Sequence, residues 1–309
     1  MSRITFSSFL NGIPATDYIR QNHMLEETVT KAAEMIRSAD YILLGAGFGL
    51  SIAAGAVYGG QWFRENFREF QEKYGNGPYY QDMYSAGFFP YRTEEAYWGY
   101  WSKQCMLAGI EADHTLLHRT LLKMLEEKHI FCLSTNTDGQ FNKAGLPENK
   151  IFCTQGDYFH IQCARGCHQK IYESSELFRK MDRKRKDCLI PTELVPKCPV
   201  CGGRMNMNLR IDNYFVQDEA WYDGEKRFGD FLSEALDSEK NLCLLELGVG
   251  YNTPTIIRFP FENLVRKYEN VSLIRMNLDD ATVPKSFGER ALGIEEDIRQ
   301  TIEDISKII

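Results

Sequence analysis

The 309-residue sequence predicts an α/β fold on a parallel sheet, with a helical insertion and a small cysteine-bearing module. Three observations lead there. Short apolar runs end abruptly in Gly, Asn or Asp; helical stretches separate them; two close cysteine pairs interrupt the alternation. Runs that are apolar throughout belong to strands covered on both faces, and strands alternating with helices make a parallel sheet.

The runs come in order. Tyr41-Ile42-Leu43-Leu44 enters Gly45-Ala46-Gly47-Phe48-Gly49, and Ile130-Phe131-Cys132-Leu133 enters Ser134-Thr135-Asn136-Thr137-Asp138-Gly139. Leu242 to Leu247 enters Gly248-Val249-Gly250, and Val271 to Ile274 leads to Met276-Asn277. Helices are expected over Leu25–Ser38, Thr115–Lys128, Glu225–Asp237 and Ile294–Ile309. Ligands of such sheets collect at the carboxyl ends of the strands, where these polar and glycine-rich residues fall.

Two stretches break the pattern. Residues 59–112 are rich in aromatics and form the predicted helical insertion. Residues 163–201 are polar, and their basic run from Arg179 to Lys186 is expected to be a solvated surface loop.

Composition narrows the function classes. The chain is 43% hydrophobic and 26% charged, ordinary for a globular protein. Its net charge of -7 disfavours general binding to nucleic acid or anionic membranes. The stretch 41–60 carries no charge but six glycines, which suits a buried strand and loop better than a membrane helix. The N-terminus lacks the pattern of a secretory signal, so a cytoplasmic location is expected. Reduced thiols are then the default for the nine cysteines.

Cys163-Ala-Arg-Gly-Cys167 and Cys198-Pro-Val-Cys201 can each present two thiolates to one tetrahedral metal. Four cysteines close the shell, so one structural zinc is predicted, with His160 and His168 as alternative ligands. The remaining cysteines, 105, 132, 153, 188 and 243, are expected to be small core residues. Gly45 to Gly49, between a strand and Ser51-Ile52-Ala53-Ala54-Gly55, suits a loop whose backbone approaches a pyrophosphate. It lacks the third glycine of the usual dinucleotide spacing.

Taken in order, these pieces resemble the sirtuins. Ser134-Thr-Asn136-Thr-Asp138-Gly139-Gln-Phe-Asn-Lys-Ala144-Gly145 is similar to that family's Thr-Gln-Asn-Ile-Asp-Gly-Leu-His-x-x-Ala-Gly segment. The resemblance spans roughly residues 31–277. It implies a Rossmann-like NAD-binding domain, 31–158 and 206–309, with the helical insertion 59–112. A zinc-ribbon small domain, 159–205, and an N-terminal extension, 1–30, complete the chain. It also implies that Asn136 and Asp138 line a nicotinamide pocket. Gly45, Ala46 and Gly47 would hold phosphates, Gly248, Val249 and Gly250 would lie by ribose and phosphates, and Asn277 by the adenosine. Phe63 and Arg64, in Gln61-Trp62-Phe63-Arg64, would be the remnant of a Phe-Arg pair that follows the glycine loop.

The departures redirect the chemistry. Where the family has Glu-Leu-His-Gly, with His as general base, this sequence has Cys153-Thr154-Gln155-Gly156. A glutamine amide exchanges no proton near neutral pH. The Phe-Gly-Glu strand that pairs with an acyl-lysine peptide is replaced by something near Phe215-Val-Gln-Asp-Glu219. Asn with Gln in place of His resembles the macrodomain-linked bacterial sirtuins. That branch implies protein mono-ADP-ribosylation of a lipoylated carrier similar to the glycine-cleavage H protein. A macrodomain hydrolase and a lipoate ligase encoded nearby are the further partners it implies. Asn136, Gln155 and Asp138 are then the catalytic candidates. Each also fits a plain structural part: a helix cap for Asn136, a loop amide for Gln155, a turn for Asp138. The rival functions are an NAD-dependent lysine deacylase using another base, such as His160, and a catalytically silent NAD or ADP-ribose binding module.

Overall fold

A computed structural model describes residues 4–21, 24–75, 77–237 and 240–309; the remaining positions of the 1–30 segment, and residues 76, 238 and 239, lie outside it. Eleven strands occur among the described residues: β1 (Tyr18–Ile19), β2 (Tyr41–Ala46), β3 (His129–Ser134), β4 (Ile151–Cys153), β5 (Gly156–Cys163), β6 (Ile171–Glu173), β7 (Met205–Leu209), β8 (Leu242–Leu247), β9 (Val271–Met276), β10 (Val283–Pro284) and β11 (Ala291–Ile294). Six form a parallel sheet in the order β11-β9-β8-β2-β3-β4. The chain runs from β2 outward to β4, then returns to the other side of β2 through β8. That reversal puts a topological switch point beside β2, where such sheets bind ligands.

The uninterrupted apolar runs are explained by burial on both faces. Ile42, Leu44 and Ala46 of β2 pack with the helices Leu25–Ser38, Thr115–Met124 and Ile298–Ile308. Tyr41 and Leu43 face the opposite layer, made by Glu219–Asp237, Arg258–Lys267 and Phe6 and Phe9. Two facing charged residues break the apolar rule in the sheet. Glu246 on β8 lies opposite Arg275 on β9, with a 2.7 Å hydrogen bond between them, and both are fully buried. Glu262 joins Arg275 at 2.9 Å, and Arg258 reaches Asp280 at 3.2 Å, so each buried charge has a partner.

Several expected boundaries shift. Ile294 belongs to β11 and the last helix starts at Ile298, where the Asp297 side chain accepts from Gln300 N–H. The third helix starts at Glu219, not Glu225, because Asp218 Oδ1 accepts from Trp221 N–H at 3.0 Å. The second ends at Met124, and Lys128 instead bonds the carbonyls of Arg37 and Ala39. The basic run is not a loop: most of it lies in the helix Ser175–Lys184, whose Phe178 and Met181 are buried.

The domain limits change too. The helix Leu25–Ser38 crosses the boundary set at residue 31. The N-terminal segment is built into the fold, with β1 paired to β10 and Tyr18 OH donating to Glu262 at 2.7 Å. The small antiparallel sheet, β6-β5-β7, runs from Gly156 to Leu209 and so overruns 159–205 at both ends. The helical insertion also shares one core with this ribbon: Phe63, Phe67, Trp98 and Tyr100 pack in a cluster that holds Ile161, Phe178, Cys198 and Met205. Together they make one small module rather than two separate additions. No helix among the described residues is long and apolar enough to cross a membrane.

Candidate active site

The loops after β2 and β8 interlock at the switch point. Gly47 N–H donates to Leu247 O at 3.0 Å, and Gly49 N–H to Gly248 O at 2.9 Å. A Cβ on Gly47 would stand 2.6 Å from Gly248 O, and one on Gly248 2.2 Å from Leu50 N. Gly248 also has φ +62°, in the left-handed region. These glycines therefore permit backbone-to-backbone contact between two loops, and the Gly47 amide is already engaged. Gly45 does something else. It sits inside the sheet, and its missing side chain leaves room for Ile257 and Phe261. Ala46 and Val249 are likewise buried, while Gly250 is exposed.

At the end of β3, Asn136 Nδ2 donates to Gly47 O at 3.0 Å, fastening the β3 loop to the glycine loop. Asp138 is buried; its Oδ2 accepts from Ser51 Oγ at 2.5 Å and its Oδ1 from Gln140 N–H at 3.2 Å. Tyr58 extends this chain through Ser51; burial first, then the Asp138 charge, raises its phenol above the ordinary range. Behind Asp138, His118 is buried, with Nδ1 3.1 Å from His114 O. Burial lowers its proton affinity, and the Asp138 charge only partly offsets this. Asn277 Nδ2 donates to Val249 O at 3.0 Å, so it braces the β8 loop. The structure thus joins Asn136, Asp138, Gly47, Gly248, Val249 and Asn277 around one switch point.

Gln155 stands in the turn between β4 and β5, half-buried, with Nε2 3.1 Å from Thr154 Oγ1. Its backbone carbonyl accepts from the Arg210 backbone N–H at 3.0 Å. Arg210 was not a sequence candidate, and the structure puts it beside this turn. Its Nε donates to Thr154 O at 3.2 Å, and its guanidinium lies 4.4 Å from the Phe215 ring centre and 5.7 Å from that of Trp221. Burial lowers its proton affinity, and no carboxylate pairs with it among the described residues. An aromatic-flanked guanidinium without an acidic partner suits a carboxylate brought from outside. The one trace of it in the sequence is the Arg–Phe–Trp spacing after β7, which carries no motif.

Two other candidates lie elsewhere. Phe63 is fully buried in the aromatic core of the helical insertion, 5.0 Å from Phe67. Arg64 is exposed on the outer face of the same helix, beside Gln61 and Arg68. Apolar burial and helix periodicity direct the two side chains apart. His160 bonds Asp157 through Nδ1 at 2.8 Å. Burial lowers its proton affinity, but the Asp157 hydrogen bond and nearby carboxylates outweigh it, and the net shift is upward.

The four cysteine sulfurs of Cys163, Cys167, Cys198 and Cys201 lie within 4.8 Å of one another. The separations of 3.8 Å for Cys163–Cys201 and 3.6 Å for Cys167–Cys198 match tetrahedral thiolates about 2.3 Å from a zinc. Cys201 is held down to about 6, chiefly by the Gly203 amide and neighbouring thiols. His168 stands at the edge, Nδ1 3.1 Å from Cys167 Sγ and Nε2 2.8 Å from Tyr172 OH. The donor set is compatible with one zinc.

Comparison with known proteins agrees with this arrangement. No family model matches the chain. A solved structure described as the structural basis of sirtuin substrate affinity superposes with a TM-score of 0.56 at 20% identity, covering 90% of this chain and 98% of that one. Sir2Tm bound to a propionylated peptide gives 0.54 at 18% identity, covering 91% and 98%. The protein therefore has the sirtuin fold. Among sequence relatives, a protein ADP-ribosyltransferase of Staphylococcus aureus strain Mu50 is 34% identical over 284 residues, 90% of this chain and 88% of the relative. A probable bifunctional ADP-ribose hydrolase/ADP-ribosyltransferase of Fusarium oxysporum f. sp. cubense is 31% identical over 288 residues, and the match covers 89% of this chain but 47% of that relative. The chain belongs to the sirtuin-type protein ADP-ribosyltransferases.

Proposed function

We propose that the enzyme transfers ADP-ribose from NAD to a side chain of a lipoylated carrier protein, with release of nicotinamide. The observation that carries the reading is the β4–β5 turn, which carries Gln155 and whose backbone Arg210 bonds through both its own N–H and its guanidinium.

NAD supplies a cationic leaving group, so cleavage of its glycosidic bond develops positive charge on the ribose. Asn136 and Asp138, at the mouth of the switch point, are suited to hold the departing carboxamide. Fixed donors and acceptors there favour the charge-separated state without reorganising. Deacylation would then need a base at the ribose hydroxyl. Gln155 is no base near neutral pH. Transfer to an acceptor carboxylate needs none, because the nucleophile is already ionised. Arg210 would orient that carboxylate and Gln155 the ribose hydroxyls.

The lipoylated acceptor rests on the resemblance of the motif pattern to the macrodomain-linked branch. The hydrolase named in the Fusarium relative supports a separate hydrolase partner that removes the modification. Incubation with NAD and a lipoylated carrier should add the mass of one ADP-ribose to the carrier and release nicotinamide. O-acyl-ADP-ribose from an acylated peptide, with no adduct on any carrier, would establish the deacylase instead. NAD binding with no nicotinamide release would establish the silent module.

A further inference from the structure

The cysteine-bearing segment 163–201 carries the opposite charge from the chain as a whole. Between Cys163 and Cys201 there are nine Lys or Arg against five Asp or Glu, although the whole chain has a net charge of -7. The helix Ser175–Lys184 concentrates this excess. Phe178 and Met181 face the core, and Lys180, Arg183 and Lys184 stand exposed on the other face, followed by exposed Lys186. The other two cations of the run 179–186 are paired: Arg179 with Glu176 at 3.0 Å and Arg185 with Asp182 at 2.5 Å. Among the described residues, the four exposed ones take part in no ion pair.

This helix begins next to the site. Ser174 N–H donates to Phe159 O at 2.8 Å, and a Cβ on Gly139 would meet the Phe159 ring at 2.6 Å. Arg179 also lies in the electrostatic field of Lys143, which feels Asp138 as well. The strand β5 leads directly from Gln155 into the module. At about 1.5 Å per residue, the exposed cations lie within roughly 15 Å of the helix start.

We propose that this cationic face docks an acidic surface of the acceptor protein, so that the modified side chain enters beside Gln155 and Arg210. The proposal rests on the acceptor reading above. One cationic face on an acidic body suits a compact acidic protein better than nucleic acid, whose phosphates would continue past the patch onto repelling surface.

The test compares wild type with the triple variant Lys180→Glu, Arg183→Glu, Lys184→Glu and with the neutral Lys180→Gln, Arg183→Gln, Lys184→Gln. A lipoylated carrier is titrated calorimetrically without NAD, and transfer is then followed with NAD. Reversal should raise both Kd and KM for the carrier at least about tenfold while kcat stays within about twofold. The neutral variant should fall between, and wild-type affinity should drop steeply with salt. Unchanged Kd and KM in a folded reversal variant would overturn the proposal, as would patch-dependent binding of duplex DNA, RNA or anionic vesicles in preference to the carrier. Patch-dependent binding of the carrier without transfer would refute the acceptor reading and leave the docking face standing. Transfer with patch-independent binding would do the reverse.

Discussion

At the scale of single residues, Asn136, Asp138 and Gln155 divide the work differently. Asn136 is half-buried and makes one side-chain bond, to Gly47 O. Asn136→Ala should therefore abolish transfer, by about a hundredfold or more, while the melting temperature changes little. A parallel loss of stability would mean the residue mainly fastens the two loops. Gln155→Ala should also cut transfer strongly, and full activity would assign Gln155 a purely structural part. His118 gives the site a pH dependence with a definite sign. Its folded proton affinity is depressed below the ordinary value of 6.5, chiefly by burial. The unfolded chain therefore takes up this proton first as pH falls. Stability from the neutral imidazole is complete above about 6.5 and declines as the solution is acidified below that. Melting curves of wild type and His118→Gln on either side of that pH should converge in acid; parallel curves would dissociate His118 from the effect. Asn136 and Asp138 were visible in the sequence because they stand in the segment that ends the β3 run, and Gln155 only through the resemblance, because it stands where the sirtuins carry a histidine. Arg210 was not, because its meaning depends on Phe215, Trp221 and Thr154 meeting in space.

At the scale of elements, the glycine loops show what a motif conceals. The sequence showed that Gly45, Gly47 and Gly248 end buried strands, and a phosphate cradle followed naturally. The structure separates their roles: Gly45 makes room for Ile257 and Phe261, whereas Gly47 and Gly248 bring two loops into contact. The same limit applies to the strands. Apolar runs identified β2, β3, β8 and β9, but β11 was not expected as a strand, and only its last residue, Ile294, fell inside the expected final helix. Phe63 is buried and Arg64 exposed on one helix, and a two-residue remnant cannot reveal which helix face is buried. Gly248→Ala is the element-level test. Its Cβ would collide with Leu50 N at 2.2 Å in a left-handed backbone. We expect a loss of about 1–3 kcal/mol from the strained backbone alone. NAD affinity, measured by calorimetry, should fall further than Gly45→Ala lowers it. Equal losses would mean that loop contact has no special bearing on the cofactor.

At the scale of the whole molecule, the metal-binding module and the helical insertion behave as one body. Cys163 and Cys198 are buried in the same cluster as Phe63, Trp98 and Met106, and the Gly99 backbone leaves no room for a Cβ against Cys188 O, 2.1 Å away. This cluster is separate from the two layers that cover the parallel sheet. Binding zinc to four thiolates is folding energy for whatever those thiolates anchor. Cys198→Ser, or zinc removal by a chelator, should therefore loosen more than the ribbon. Amides of the helix Glu94–Cys105 should lose protection from hydrogen exchange together with β5 and β7, while β2 and β8 keep theirs. The melting temperature should drop and zinc should be released in proportion. NAD binding should weaken less than transfer, because the glycine loops belong to the large sheet, whereas the Gln155–Arg210 turn lies where β5 and β7 begin and end. Protection lost only from residues near the cysteines would contradict the shared core. An unchanged melting temperature in Cys198→Ser would count against the four-cysteine site itself.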